Sequence, residues 1–325
     1  MLQDTKPADK SKISILHTKT IGIVFLIIIF IIALLISAWL YSQFSLYFQQ
    51  PTTSDISYDS ITTKEVIVDD LKIYYKTAGN IHNPPLVLIH GTGGSYELGE
   101  HLNNKLINEL SKQFYIIAPE LPGYKRSEPP KQEVSSEYFV KFVHTFIKQL
   151  DVSDYILVGQ SSGGKIVTIY ATKYSDEIKL LVIADSAPAI KDRPVKYKFA
   201  RSFGSVIQYI YESTLVPDKF KHFTTRYFLS RPDGQIDSSN YQQYAVMAGL
   251  YKNNDTDYTN EIKNNITATT IIIWGENDKE LPLTGAYKLE KLIKGSEVFV
   301  FDAGHTAMHT FPDKTREIIS VQLKV

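Results

Sequence analysis

The chain has 325 residues, and its 35 basic and 35 acidic side chains give no formal net charge at neutral pH. A surface for nucleic acid needs clustered positive charge to displace counterions from phosphates, so this balance argues against a nucleic-acid partner. The sequence has no cysteine, which excludes disulfides, thiolate zinc sites and cysteine nucleophiles. Any nucleophilic catalysis must therefore use another side chain.

The first predicted element is a transmembrane helix over residues 21–41. The run from Ile21 to Leu40 contains no charged residue, and at ~1.5 Å per residue a helix of this length crosses the ~30 Å hydrocarbon core of a bilayer. The alternative is a cleaved signal peptide, whose apolar region has about 7–15 residues and precedes a small-x-small cleavage site. Positions 33–45 contain no such site. We therefore expect an uncleaved anchor in the lipid bilayer.

The charges on the two sides of this helix predict its orientation. Four lysines precede it, at Lys6, Lys10, Lys12 and Lys19, and no Lys or Arg follows it before Lys64. By the positive-inside bias, residues 1–20 form a cytoplasmic tail and the large remainder of the chain lies on the extracytoplasmic side. Residues 42–64 include a polar, Ser/Thr-rich stretch without periodicity, which predicts a linker.

Residues 65–325 alternate short β-branched or aromatic runs with longer amphipathic stretches. This alternation predicts an α/β domain with a mostly parallel, eight-stranded sheet and flanking helices. Strands are predicted over 65–68, 71–77, 85–89, 114–118, 155–159, 179–184, 269–274 and 297–301. Helices are predicted over 97–112, 135–150, 163–175, 285–293 and 313–322. Because no helix separates the first two strands, the sheet is expected to open with an antiparallel hairpin.

The interval 190–265 interrupts this alternation and is rich in aromatic residues, including Phe203, Tyr209 and Tyr244. An insertion at this place lies over the carboxyl ends of the strands, where open parallel sheets bind ligands. We interpret it as a helical cap. Its aromatic side chains either form a small core of their own or line an apolar pocket for a substrate, and the pattern leaves both uses open.

The segment Gly159-Gln160-Ser161-Ser162-Gly163 connects a predicted strand directly to a predicted helix. In this setting G-x-S-x-G is typical of a nucleophile elbow, in which a sharp turn holds the serine and the glycines avoid collisions with neighbouring backbone. The bare pattern also occurs in glycine-rich turns with a purely structural purpose. Its place between a strand and a helix favours Ser161 as a nucleophile.

A second glycine-rich loop, HGTGG at residues 90–94, follows the third predicted strand. In a nucleophile-elbow enzyme, a backbone N–H from such a loop and the N–H of the residue after the nucleophile together bind the developing oxyanion. We therefore predict Thr92 and Ser162 as the two backbone donors of an oxyanion hole. Gly91 and Gly93 are expected to shape the loop that presents the first donor.

A serine nucleophile needs a base that removes its proton and a carboxylate that orients the base. His305 follows the last predicted strand, and Asp278 follows the strand before it. We therefore predict His305 as the general base for Ser161 and Asp278 as the orienting acid.

Neighbouring residues compete with two of these assignments. Asp185, at the end of the sixth strand, competes for the role of acid, and His309 competes for the role of base. Asp302 is close in sequence to His305 and is expected to brace the turn. His90 is expected to brace its own loop rather than to act in catalysis.

Together these segments resemble the alpha/beta-hydrolase superfamily over residues 65–325. The matching motifs are HGTGG, APELPGYKRS, GQSSGG, WGENDKELP and AGHTAMHTFP. The resemblance implies the fold of that name, in which serine, acid and histidine follow one another in this chain order. Dehalogenases and epoxide hydrolases resemble this chain too, but they carry Asp where Ser161 stands. The resemblance therefore favours acyl transfer.

The predicted reaction is hydrolysis of a carboxylic ester or related acyl bond in a small apolar acyl substrate, through an acyl-enzyme on Ser161. The alternatives are a lactone, amide or carbon–carbon bond hydrolase of the same fold, or a non-catalytic membrane-tethered binding module. No metal or organic cofactor is expected. The sequence lacks the H-E-x-x-H spacing, and no GK[ST] follows the glycines of the HGTGG loop.

Overall fold

The computed structural model describes residues 60–91, 99–187, 189–190 and 256–324, together with Phe30, Ala33, Val246 and Leu250. Among these residues there is no helix that is both long enough and apolar enough to cross a membrane. The predicted transmembrane helix at 21–41, except for Phe30 and Ala33, lies outside the described residues, as does most of the predicted cap. All helices and strands named below belong to one compact unit, Thr53–Lys221 with Asp237–Val325.

A sheet of eight strands forms the centre of this unit. The strands are β1 (Thr62–Val68), β2 (Leu71–Ala78), β3 (Pro85–Ile89), β4 (Tyr115–Pro119), β5 (Tyr155–Gln160), β6 (Ile178–Ala184), β7 (Thr270–Gly275) and β8 (Glu297–Phe301). Their spatial order is β1-β2-β4-β3-β5-β6-β7-β8. Strands β3 to β8 pair in parallel, whereas β2 is antiparallel to both β1 and β4. The predicted mostly parallel sheet of eight strands is confirmed.

The antiparallel opening of the sheet follows from a tight turn between β1 and β2. Val68 pairs with Leu71, so only Asp69 and Asp70 connect the two strands. Both aspartates have positive φ, 47° and 60°, which is the requirement of a two-residue type I′ hairpin, and Asp tolerates this conformation better than most residues. The turn thereby sets the register of the predicted antiparallel hairpin.

Helices cover both faces of the sheet. They are α1 (Gly99–Leu110), α2 (Ser136–Gln149), α3 (Ser162–Tyr174), α4 (Thr259–Asn265), α5 (Thr284–Leu292), α6 (Ala307–Thr310) and α7 (Pro312–Leu323). Their ends carry familiar signals: the Ser135 hydroxyl accepts from the Tyr138 N–H at the start of α2, and α7 begins with Pro312. The five predicted helices in the described range lie within two residues of their predicted bounds. Helix α4 lies within the interval 190–265, which was predicted to be helical without individual bounds, and α6 was not predicted.

Successive residues of the parallel strands point to opposite sides of the sheet. Leu157 and Ile183 belong to the apolar layer beneath α2, α3 and α5. Val158 and Val182 belong to the other layer, which α1 and α7 cover. Because both faces are covered, these strands read as continuous apolar runs rather than as alternating ones.

Helix α4 and the residue before it show where the last part of the 190–265 interval lies. Tyr258 is buried and its hydroxyl donates to Glu137 on α2 at 2.7 Å, and the side-chain amide of Asn265 donates to the Thr172 carbonyl on α3 at 3.3 Å. Ile262 is fully buried in the same apolar layer. This end of the interval therefore belongs to the helical layer beside the sheet.

The parallel arrangement decides where the chemistry can occur. Strands β5, β6, β7 and β8 run in the same direction, so the loops that follow them all leave from one edge of the sheet. These loops begin at Ser161, Asp185, Glu276 and Asp302. The residues singled out from the sequence are thereby collected at a single edge.

The central strands should carry most of the stability. Ile183 is fully buried in β6, whereas Ile67 in β1 is 56% exposed. Ile183→Ala should lower the free energy of unfolding by about 2–5 kcal/mol, because it removes buried methyl groups and leaves a cavity. The matched change Ile67→Ala should cost no more than about 0.5 kcal/mol. Urea unfolding of the full chain, with both variants in the same detergent, measures this difference, and equal effects would contradict the layered core.

Candidate active site

Ser161 lies in the turn between β5 and α3 with φ 56° and ψ −119°. A non-glycine residue in such a conformation costs roughly 1–3 kcal/mol. Two backbone hydrogen bonds hold it there. The Ser161 N–H donates to the Ala184 carbonyl at 3.0 Å, and the Ser161 carbonyl accepts from the Ala187 N–H at 2.9 Å. The neighbouring strand β6 and its loop thus fix the strained turn.

The two glycines of the elbow allow the turn to approach other backbone closely. A β carbon on Gly163 would lie 2.3 Å from the carbonyl oxygen of Ile89, and one on Gly159 would lie 2.4 Å from the carbonyl oxygen of Gly163. Neither distance is tolerable for a carbon atom. The predicted steric need for glycine at both positions therefore matches the geometry.

Ser161, His305 and Asp278 form a continuous line of hydrogen-bonded side chains. Ser161 Oγ lies 3.0 Å from Nε2 of His305, and Nδ1 of His305 lies 2.8 Å from Oδ2 of Asp278. Because the carboxylate can only accept, Nδ1–H donates to Asp278, and the neutral imidazole then presents Nε2 as an acceptor to the serine hydroxyl. The structure thus brings together the three residues that the sequence placed far apart.

Backbone donors hold Asp278 in this position. Its Oδ1 accepts from the N–H groups of Glu280 and Leu281, each at 2.8 Å, while Oδ2 faces His305. The Asp278 side chain is fully buried in this arrangement. Both carboxylate oxygens are therefore engaged, which fixes the carboxylate plane relative to the imidazole.

The charge environment of His305 favours its protonated form. Burial lowers the pKa of the imidazole, whereas the hydrogen bond to Asp278 raises it. The nearby charges of Glu280 and Asp185 raise the pKa further, to about 9 in total. The carboxylate of Glu280 lies 3.7 Å from Nε2, the ring nitrogen that faces Ser161. The Glu280 side chain is about half exposed.

Asp185, the competing candidate for the acid, occupies a different position. Its Oδ1 accepts from the Gly275 N–H at 2.8 Å and its Oδ2 accepts from the Ala307 N–H at 2.9 Å. Burial raises the pKa of this carboxyl group to about 7, although the two N–H donors lower it. Asp185 therefore binds the backbone of two loops, whereas Asp278 is the carboxylate that forms a hydrogen bond with Nδ1 of His305.

Asp302 and His309 also have separate partners. Asp302 accepts from the side-chain amide of Asn277 at 3.0 Å and so braces the turn, as expected. Nε2 of His309 lies 3.0 Å from Oδ1 of Asn103, and burial lowers the pKa of His309 to about 4. The base candidate that contacts Ser161 is His305.

His90 connects two loops at this edge. Its Nδ1 lies 2.7 Å from the Gly91 carbonyl and its Nε2 accepts from the Leu121 N–H at 3.0 Å. Burial lowers the pKa of His90 to about 4, so the neutral ring carries Nδ1–H as donor and Nε2 as acceptor. These contacts match the expected bracing role.

Of the two predicted donors of the oxyanion hole, Ser162 lies among the described residues and Thr92 does not. Ser162 is the first residue of α3, and the first N–H groups of a helix have no acceptor within the helix. Gly91 is buried in the loop, two residues after the last residue of β3. Thr92 and Gly93 lie outside the described residues, so the first predicted donor stays a prediction.

An apolar cavity of about 80 Å³ lies beside the loops that follow β6 and β7. Ala187, Ile190, Trp274, Leu281 and Leu289 are among the residues that line it. The Trp274 indole N–H donates to the Leu281 carbonyl at 2.8 Å, which satisfies the one polar group of that ring. In the part of the chain that the structure describes, no group of three or more Asp, Glu, His or Cys side chains is arranged to hold a metal ion.

Two residues near His305 were not singled out from the sequence. Gln160 donates from its side-chain amide to the His305 carbonyl at 2.9 Å, and Glu280 lies near Nε2 as described above. Gln160 occupies a variable position of the G-x-S-x-G pattern, and Glu280 is an exposed residue of a loop. Neither the pattern nor the periodicity contains information about these long-range contacts.

Known proteins resemble this chain in sequence. The sequence model of a family described as having the alpha/beta hydrolase fold matches residues 84–312. Lipase 1 of Psychrobacter immobilis is 24% identical over 287 residues, which cover 81% of this chain and 83% of the relative. The 2-hydroxy-6-oxo-6-(2'-aminophenyl)hexa-2,4-dienoic acid hydrolase of Metapseudomonas resinovorans is 26% identical over 238 residues, which cover 70% of this chain and 80% of the relative.

A solved structure described as a membrane phospholipase A, a novel bacterial virulence factor, is also similar. It aligns with a TM-score of 0.64 at 20% sequence identity and covers 95% of this chain and 98% of that chain. At this level of identity the likeness shows a shared fold.

The electrostatic arrangement predicts how His305 titrates. Its imidazole should have a pKa of about 9, and Glu280→Gln should lower that pKa, because removal of a negative charge near Nε2 destabilises the imidazolium. Glu276→Gln, an exposed change in the same loop, is the matched control and should have little effect. NMR titration of the imidazole measures all three values. An unchanged pKa in Glu280→Gln would show that this carboxylate does not act on His305.

Proposed function

Because the chain belongs to the alpha/beta-hydrolase family, we propose that it is a membrane-anchored serine hydrolase that cleaves a carboxylic ester or related acyl bond. The observation that carries this proposal is the line of contacts from Ser161 through His305 to Asp278, at 3.0 and 2.8 Å. Distances of this size allow a proton to pass from the serine to the base while the carboxylate orients it.

The proposed reaction begins with acylation. His305 Nε2 takes the proton of Ser161 as Oγ attacks the carbonyl carbon, so that the carbonyl oxygen becomes an oxyanion. The imidazolium is stabilised by Asp278 and then gives the proton to the departing alkoxide. The products of this half-reaction are an alcohol and an acyl ester on Ser161.

The proposed second half-reaction restores the serine. His305 removes a proton from water as the hydroxide adds to the acyl carbon, and when the intermediate collapses the imidazolium returns that proton to Oγ of Ser161, which releases the free acid and restores the serine hydroxyl. In both halves the oxyanion would be bound by backbone N–H groups, for which we propose Ser162 and Thr92. Such donors are effective because the fold fixes them before the charge develops.

A neutral, apolar acyl substrate is the class that we propose for this site. The carboxylate of Glu280 near Nε2 disfavours a substrate with negative charge at the reacting group. The apolar cavity lined by Trp274 and Leu281 suits a short acyl chain. The name of the first relative, Lipase 1, supports an ester, and the name of the second keeps a hydrolase for a dienoic acid as the competing candidate.

We also propose that residues 21–41 anchor the protein in a bilayer and place the sheet domain on the extracytoplasmic side. The support is the uncharged apolar run from Ile21 to Leu40 and the lysines that precede it. An anchored hydrolase would act near the membrane surface, where apolar acyl substrates accumulate.

The central test is covalent labelling with a fluorophosphonate, followed by kinetics on a series of acyl esters of increasing chain length. Wild-type protein should be labelled at Ser161, and Ser161→Ala should lose labelling and lose turnover by up to roughly a millionfold. Ser153→Ala is the matched control, because Ser153 is an exposed serine outside the site. Its labelling and turnover should equal those of wild type.

Two results would overturn the proposal. Labelling that persists in Ser161→Ala would place the nucleophile elsewhere. Labelling at Ser161 without turnover of any ester, together with turnover of a dienoic acid, would replace ester hydrolysis by the competing reaction.

The topology proposal predicts the pattern of protease protection. Protease added outside intact cells or spheroplasts should digest the sheet domain, whereas a tag fused at Met1 should stay protected until the membrane is permeabilised. Changing the four lysines before the apolar run to glutamine should weaken this preference. Protection of the sheet domain together with digestion of the tag would invert the orientation.

A further inference from the structure

Asp185 is a buried carboxylate that the proposed reaction does not use. Asp185 directly follows the last residue of β6 and is fully buried. Its backbone has a positive φ of 40°. A buried carboxylate without strong partners is costly, and a non-glycine residue with this φ is strained. Such a combination calls for a specific reason in the surrounding structure.

The two oxygens of Asp185 contact the backbone of two different loops. Oδ1 accepts from Gly275, three residues before Asp278, and Oδ2 accepts from Ala307, two residues after His305, at 2.8 and 2.9 Å. The carboxylate thereby sets the spacing between the loop that carries the acid and the loop that carries the base.

The same turn also contacts the elbow that carries the nucleophile. Ala184, just before Asp185, accepts from the Ser161 N–H at 3.0 Å, and Ala187, two residues after it, donates to the Ser161 carbonyl at 2.9 Å. The Asp185 N–H donates to the Ile273 carbonyl of β7 at 3.0 Å. All three loops of the candidate site are therefore connected through four consecutive residues.

An ionised carboxylate meets this requirement and an amide does not. Both partners are N–H donors, so each needs an acceptor, and only the carboxylate offers one on both branches. In an Asn side chain one branch becomes an NH₂ group that faces an N–H group. A buried donor left without its acceptor then loses the hydrogen bond and retains the full cost of its desolvation.

We infer that Asp185 is a positioning residue that holds Asp278 and His305 in register with Ser161 by binding the backbone of both of their loops. It acts through these residues and does not contact Ser161 or the proton that moves. This inference rests on the proposed function and assigns the carboxylate at the end of β6 a role distinct from that of the acid.

The inference is tested by Asp185→Asn in the full chain, with Asp302→Asn as the matched control. Asp302 is also an aspartate next to the His305 loop, but it is exposed and its contact is with the side chain of Asn277. The concentration of active sites is titrated with a fluorophosphonate, so that kcat and KM refer to folded protein. The pH profile of kcat/KM is recorded for both variants.

Asp185→Asn should lower kcat roughly 10- to 100-fold, the size expected when reacting groups are displaced by about 1 Å, while KM changes by less than about twofold. The acid limb of its kcat/KM profile should move to lower pH, because a negative charge near His305 is lost. The remaining charged groups that face His305 are Asp278 and Glu280, with His309 buried nearby, and all of them are unchanged. Asp302→Asn should match wild type in both readouts.

A lower Tm with unchanged kcat per titrated site would reduce Asp185 to a structural residue and overturn the inference. A loss of kcat without movement of the acid limb, or an equal loss in Asp302→Asn, would overturn it as well. If Asp185→Asn does not fold, the same measurements are made on Asp185→Ser, which removes the same charge and has a smaller side chain. Wild-type protein without labelling or turnover would instead refute the proposed function.

Discussion

Parallel pairing of neighbouring strands is the constraint on which the rest of this structure depends. Strands β5 to β8 lie side by side in chain order and in one direction, so each contributes the start of a loop to the same edge. Ser161, Asp185, Asp278 and His305 are far apart in the sequence and come together only through this pairing. The strained turn at Ser161 is tolerated because the neighbouring buried strand and its loop supply its backbone hydrogen bonds.

The chemistry of the edge is determined by how each carboxylate is partnered. Asp278 contacts the imidazole, Asp185 binds backbone N–H groups, and Glu280 remains about half exposed near Nε2. All three raise the pKa of His305, yet only one of them orients its ring. A histidine with a pKa of about 9 acts as a base only in its neutral fraction, which grows as the pH rises. The proposed hydrolase should therefore be more active on the alkaline side of neutrality.

The centre of the sheet could be predicted well from the sequence because its inner parallel strands are buried on both faces and bounded by turn residues, which makes each of these runs short and apolar. Helix α6 has four residues and α4 has seven, too short to show a helical period. The place of Asp278 followed from the end of β7, but the separate role of Asp185 did not, because its partners are backbone N–H groups of distant loops. The transmembrane helix at 21–41 and the donor at Thr92 stay predictions, since Thr92 and all but two residues of that helix lie outside the described residues.

The central claim is that Ser161 becomes covalently acylated during turnover. The most direct test is to quench the protein with acid during rapid turnover of a chromogenic acyl ester and to map the acyl group by peptide mass spectrometry. We expect one acyl group on the peptide that contains Ser161, formed in step with the first burst of released alcohol and absent from Ser161→Ala. Turnover without an acylated intermediate, or an acyl group on another residue, would contradict this claim.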